Sequence, residues 1–186
     1  SQSLETLGDL KIGAGDQSGA LAVYEKILAE RRDLAAADAS PAHLRDLAAA
    51  LLKVAQLKSR DPAGALPLLN ESYDITTSLA ANDAANPDLK RDLVHTLNAI
   101  GSAKVDLGDP TAGIEAYGKS LDIARALALA DKSNADWQQE LAATLTQRGN
   151  AKLARGDNVG AIAASHESTP LRRTLLTKTP DEPGLQ

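Results

Sequence analysis

Three histidines, at positions 43, 95 and 166, are the side chains of this 186-residue chain best suited to proton transfer or metal ligation near neutral pH. None has a second such group beside it at catalytic or ligand spacing. No HExxH, GxSxG, phosphate-loop or calcium-loop pattern occurs. With no cysteine there is no thiolate zinc site, thiol nucleophile or disulfide. The stretch Gly13-Ala14-Gly15-Asp16-Gln17-Ser18-Gly19 could cradle an anion at a helix N-terminus, but no strand precedes it and related turns recur further along the chain with other residues. It reads as a structural turn. The chain is therefore expected to hold no catalytic residue, no metal and no cofactor, and not to be an enzyme.

The histidines differ in what they offer. His43 aligns with Asp88 and Asp136, and His166 with Glu25, Asn70 and Gly118, so both read as solvated surface residues. His95 falls on the helix face turned away from the partner helix, where contact with a ligand is a reasonable expectation. Trp137 shares its position with Leu44 and Leu89 and reads as apolar packing at a helix start.

Composition narrows the classes further. Twenty-five acidic against 20 basic side chains give a net charge of -5, which argues against a duplex nucleic-acid partner. No apolar run approaches the roughly 20 residues of a membrane span, and no signal-peptide pattern opens the chain; the expected location is the cytoplasm, with no membrane partner. Alanine and leucine dominate the hydrophobic residues, while aromatics make up 2% and phenylalanine and methionine are absent. A core of small residues suits closely packed helices and not a β-sandwich.

The elements that must carry these residues are set by repetition. Gly15-Asp16, Arg60-Asp61, Gly108-Asp109 and Gly156-Asp157 each precede a small-residue and apolar run; their aspartates lie 45, 48 and 48 residues apart. Asp38, Asp83 and Asp131 follow three of them at a constant 22 residues. Apolar residues within each period recur at helical spacing, as in Leu93, Leu97, Gly101 and Val105. Gly108-Asp109-Pro110 reads as a stop, a cap and a start, with Ser40-Pro41 and Asn86-Pro87 marking the junctions between units. Arg60 replaces the glycine in the second unit, whose turn is shorter. The prediction is all-α, with helices over 3–14, 17–37, 41–59, 62–82, 87–107, 110–131, 135–155 and 158–168. These form four antiparallel pairs, over 3–38, 41–83, 87–131 and 135–178, stacked as one α-solenoid domain spanning 1–178. Pro170 is expected to kink or break the last helix, and 179–186 to be a disordered tail.

Gly8, Ala20 and Tyr24, and again Gly101, Gly113 and Tyr117, follow the glycine, small-residue and aromatic spacing of one repeat family. On these residues the chain resembles the tetratricopeptide-repeat (TPR) proteins, of a long-period kind similar to kinesin light chain and many bacterial arrays. The fourth unit keeps Gly149 and Ala161 but has Ser165 for the aromatic; the second has Ala55 and Leu69. The resemblance implies a right-handed superhelix whose first helices line a concave groove for a peptide or protein partner. In that register the outward positions include Glu5, Asp9, Gln56, His95, Asn98, Ser102, Thr146 and Asn150, with Asp9, Gln56, Ser102 and Asn150 at one repeat position. Asn and Gln can both donate to and accept from a peptide backbone, whereas basic residues are sparse at these positions. The alternatives are self-association into a homo-oligomer through the array ends, and a regulatory role beside another domain. The position corresponding to Leu47 would precede Ser1, so the chain is expected to be part of a longer one.

Overall fold

A computed structural model describes residues 2–178; the expected tail at 179–186 lies outside the described residues. Eight helices follow one another: α1 (Gln2–Gly13), α2 (Gln17–Ala37), α3 (Pro41–Leu57), α4 (Pro62–Asn82), α5 (Pro87–Asp106), α6 (Pro110–Ala130), α7 (Ala135–Ala154) and α8 (Asn158–Lys178). The fold is all-α, and each helix packs against the next along the whole array. Odd-numbered helices are the first of each pair and even-numbered helices the second. None is long and apolar enough to cross a membrane among the described residues.

The turns inside pairs one, three and four are built alike. Gly108 has φ +84°, its N–H donates to Val105 O at 2.9 Å, and the Asp109 N–H donates to Lys104 O at 2.9 Å. This is the Schellman closure, and it needs a residue that tolerates positive φ at its first position. Gly15 and Gly156 repeat it, with φ of +76° and +86°. The following aspartate caps the second helix: Asp109 accepts from the Ala112 N–H at 2.9 Å, and Asp16, Asp61 and Asp157 do the same three residues on. The second pair keeps only this half, since Arg60 cannot replace the glycine at low cost; there Lys58 bonds back to Val54 and Ala55 instead. Between pairs, Asn86 and Asn134 cap as expected, but the Ser40 side chain makes no cap bond.

The last helix departs from expectation. It runs through Pro170 to Lys178 rather than ending near 168. A proline inside a helix loses one bond and crowds the preceding turn, at a cost of about 3 kcal/mol. Beyond it, Leu171 packs against the cluster of Val94, Leu121, Ala124, Ala128, Leu141 and Leu145, and Leu175 lines the same side of α8 against α6 and α7. Burial of that face opposes a break that the local sequence alone would favour.

Within each pair the helices meet at the small residues. A Cβ built on Gly8 would lie 2.5 Å from the Tyr24 ring, and one on Gly101 2.7 Å from the Tyr117 ring. Gly113 faces the Gly101 carbonyl, where a Cβ would lie 2.9 Å from the oxygen. Buried hydroxyls tie the same faces together: Ser72 donates to Ala48 O at 2.9 Å and Ser120 to Val94 O at 3.2 Å.

The pairs do not stack as a straight pile. Cα atoms of α3 and α5, and of α5 and α7, approach within 8 Å, while no two second helices come so close among the described residues. The array is therefore tighter along its first helices, which take the inner side of the bend.

Gly101→Ala should lower stability by about 1–3 kcal/mol, because the added methyl overlaps a buried ring. Gly149→Ala meets Ala164 Cβ at 3.2 Å and, at ordinary contact distance, Ala161 O at 3.6 Å. It should fall within about 1 kcal/mol of neutral, since alanine's helix propensity offsets the crowding. Urea unfolding followed by circular dichroism checks this order; equal effects would contradict the ring-backed crossing.

Candidate functional site

The inner face of the first helices carries the predicted site residues in two rows, with His95 three residues further from the crossing than the second. The residue after the crossing position is Asp9, Gln56, Ser102 or Asn150; three residues before the crossing stand Glu5, Leu52, Asn98 and Thr146. Asn98 and Asn150 thus belong to different rows.

In the first row, Asp9 accepts from the Tyr24 hydroxyl at 2.6 Å and pairs with Lys53 Nζ at 3.3 Å. The Lys53 ammonium lies 5.1 Å from the Tyr24 ring centroid. The Tyr24 hydroxyl first, and Lys53 second, hold the Asp9 carboxyl below the usual carboxylate range. Burial first, and its bond to Asp9 second, push the Tyr24 phenol above its usual value. Burial pushes the Tyr117 phenol above its usual value, which Ser102 partly offsets; the Ser102 hydroxyl donates to Asp106 Oδ2 at 3.5 Å. Gln56 and Asn150 are exposed, and neither side chain has a polar partner among the described residues.

The second row is used largely for holding the array together. Asn98 Nδ2 donates to Thr144 Oγ1 at 2.9 Å across α5 and α7, leaving the buried Asn98 Oδ1 without a hydrogen bond. Thr146 turns back on its own helix, donating to Ala142 O at 2.8 Å. Glu5 pairs with Arg31, which also binds Asp46 on α3. His95, exposed on the same face, sits 2.9 Å from Glu140 on α7, and Arg91 is 3.5 Å from the same carboxylate oxygen. The predicted residues thus share one face but do not converge on one point.

The sequence reading missed the basic side chains of this face. Arg45, Lys53 and Arg91 line a cleft of about 260 Å³ between α3 and α5, together with Gln56, Asp92 and His95. All three are ion-paired: Arg45 with Asp92 at 2.7 Å, Lys53 with Asp9, and Arg91 with Glu140. The signal was present, since Arg45 and Arg91 occupy one repeat position ten residues before Ala55 and Gly101. The cleft can therefore meet a polar backbone with the Gln56 amide and a charged side chain with paired ions.

No family model matches the chain, and no curated protein matches it. Among solved structures, it is similar to the crystal structure of BtubC (BKLC) from P. vanneervenii, at 15% identity over 100% of this chain and 84% of that one, with a TM-score of 0.41. Two crystal structures of MamA are similar at 16% identity. One covers 100% of this chain and 97% of that one at a TM-score of 0.36; the other covers 91% and 96% at 0.31. Likeness at this level carries no conclusion about what this chain binds.

Tyr24→Phe keeps the ring and removes the hydroxyl, so the Asp9 titration midpoint should rise, as read from its carboxyl carbon shift by NMR. Because the folded value is depressed, the stability Asp9 contributes is present above the ordinary carboxylate range, about pH 4, and is lost as pH falls through the lower folded value. An unchanged midpoint in Tyr24→Phe would remove the hydroxyl as the main cause.

Proposed function

We propose that this chain is a non-catalytic, TPR-type interaction scaffold that binds a peptide segment or partner domain along the inner face of its first helices. The observation that carries the reading is the approach of α5 to both α3 and α7 on the side that displays Gln56, His95, Ser102 and Asn150. Gln56 and Asn150 have free donors and acceptors there, as an extended backbone requires. Helix pairs locked at their crossings lose little further entropy when a partner docks.

A second reading, self-association, is favoured by apolar side chains left exposed at both ends of the array: Leu7 and Leu10 on α1, at 44% and 66% exposure, and Val159 and Ile162 on α8, at 81% and 58%. In a solenoid such faces are covered by a neighbouring unit.

Peptides selected on this chain from a random displayed library should shift the backbone amide resonances of Gln56, His95, Ser102 and Asn150. His95→Ala combined with Gln56→Ala should weaken them roughly tenfold, while the helical circular dichroism is retained. Shifts confined to the outer sides of α2, α4 and α6 would defeat the scaffold face. Light scattering that gives a monomer across a wide concentration range would remove self-association.

A further inference from the structure

The fourth pair differs from the first and third at one place. Where Tyr24 and Tyr117 lay a ring against the glycine of the first helix, the fourth pair has Ser165 at the ring's repeat position, and a Cβ on Gly149 would meet only Ala164 Cβ, at 3.2 Å, and Ala161 O, at 3.6 Å. An open cleft of about 410 Å³ lies there, walled by Leu153 and Ile162, each 58% exposed, and floored by Gly149 and Ala161. In the second pair Leu69 stands at this position, and the corresponding cleft, partly filled by α5, is about 180 Å³. Chemistry at the rim also follows the register. The residue after the glycine is Asp9 in the first pair, bonded to the Tyr24 hydroxyl, and Ser102 in the third, whose hydroxyl donates to Asp106 Oδ2 at 3.5 Å. In the fourth it is Asn150, exposed and without a polar partner among the described residues.

We propose that this cleft receives a tyrosine side chain from a partner peptide, the ring lying over Gly149 between Leu153 and Ile162 and its hydroxyl bonding to Asn150. The chain itself carries the template twice, since Tyr24 and Tyr117 are 6% and 4% exposed in the matching slots. No ionisable side chain lines the cleft. A neutral ring with one hydroxyl fits such a lining; a carboxylate or phosphate would enter without a countercharge. Thr146 and Asn150 belong both to this cleft and to the inner face, so a segment lying along the first helices reaches the slot at its end. The inference rests on the scaffold reading and adds the chemistry of one contact to it.

The test is a titration of the whole isotope-labelled chain with N-acetyl-tyrosinamide, followed by amide NMR. Saturable shifts are expected at Gly149, Asn150 and Ser165. Asn150→Ala should weaken N-acetyl-tyrosinamide roughly three- to tenfold and leave N-acetyl-phenylalaninamide unchanged, because only the hydroxyl contact is lost. Ser165→Tyr fills the slot from within, as the first and third pairs do, and should abolish the saturable shifts without lowering the unfolding temperature. Should that variant not fold, Ser165→Leu, which copies the second pair, is read in the same way. Shifts that do not saturate, or that persist in a folded Ser165 variant, overturn the inference. So does concentration-dependent self-association that Ser165→Tyr or Leu10→Asp removes, since the occupant is then α1 of a second copy. If library peptides perturb the inner face while N-acetyl-tyrosinamide binds nowhere, the cleft inference falls and the scaffold reading stands. Loss of both removes the scaffold reading with it.

Discussion

Everything in this array depends on how closely two helices can approach where they cross. With no phenylalanine or methionine to fill wider gaps, the core is made mainly from alanine and leucine, with some isoleucine and valine and two buried tyrosines, so the backbones must come together. Glycine at 8 and 101 provides the space, and a tyrosine ring from the second helix occupies it. The crossing then sets where the Schellman turn and the aspartate cap must fall. Those in turn set the length of each pair and the spacing of the next.

The same geometry decides what the inner face is made of. First helices that approach one another bring polar side chains from neighbouring pairs into range, and many are consumed there. Arg45 reaches Asp92, His95 reaches Glu140, and Asn98 reaches Thr144. Exposed ion pairs of this kind add little stability each. Their effect is on arrangement, because they fix which side chains stay free to face a partner. Gln56 and Asn150 remain without a polar partner among the described residues.

Much of the fold was legible in the sequence, for a physical reason. Helical period, capping aspartates and positive-φ glycines are local, and seven of the eight helices end within two residues of expectation. The eighth did not, because Pro170 obeys a local rule that packing at Leu171 overrides. The inner face was legible only as a face. Periodicity reports the direction in which Asn98 or Asp9 points, and it is silent on Thr144 or Lys53 arriving from a neighbouring helix. Arg45 and Arg91 repeat at one position, but it stands ten residues before the crossing, and their partners Asp92 and Glu140 lie on neighbouring helices that periodicity does not report.

The ring-backed crossing occurs in the first and third pairs and is absent from the second and fourth. A stack whose units touch only their neighbours behaves as a linear chain of coupled switches. Here the switches alternate in strength along the molecule. Sub-global opening should therefore begin in the second and fourth pairs, which lack a tyrosine lock, while the first and third pairs retain their amide protection longest. A partner that supplied the missing ring would act as a tyrosine lock for the fourth pair, and binding would be felt as a slowing of hydrogen exchange well away from the contact itself.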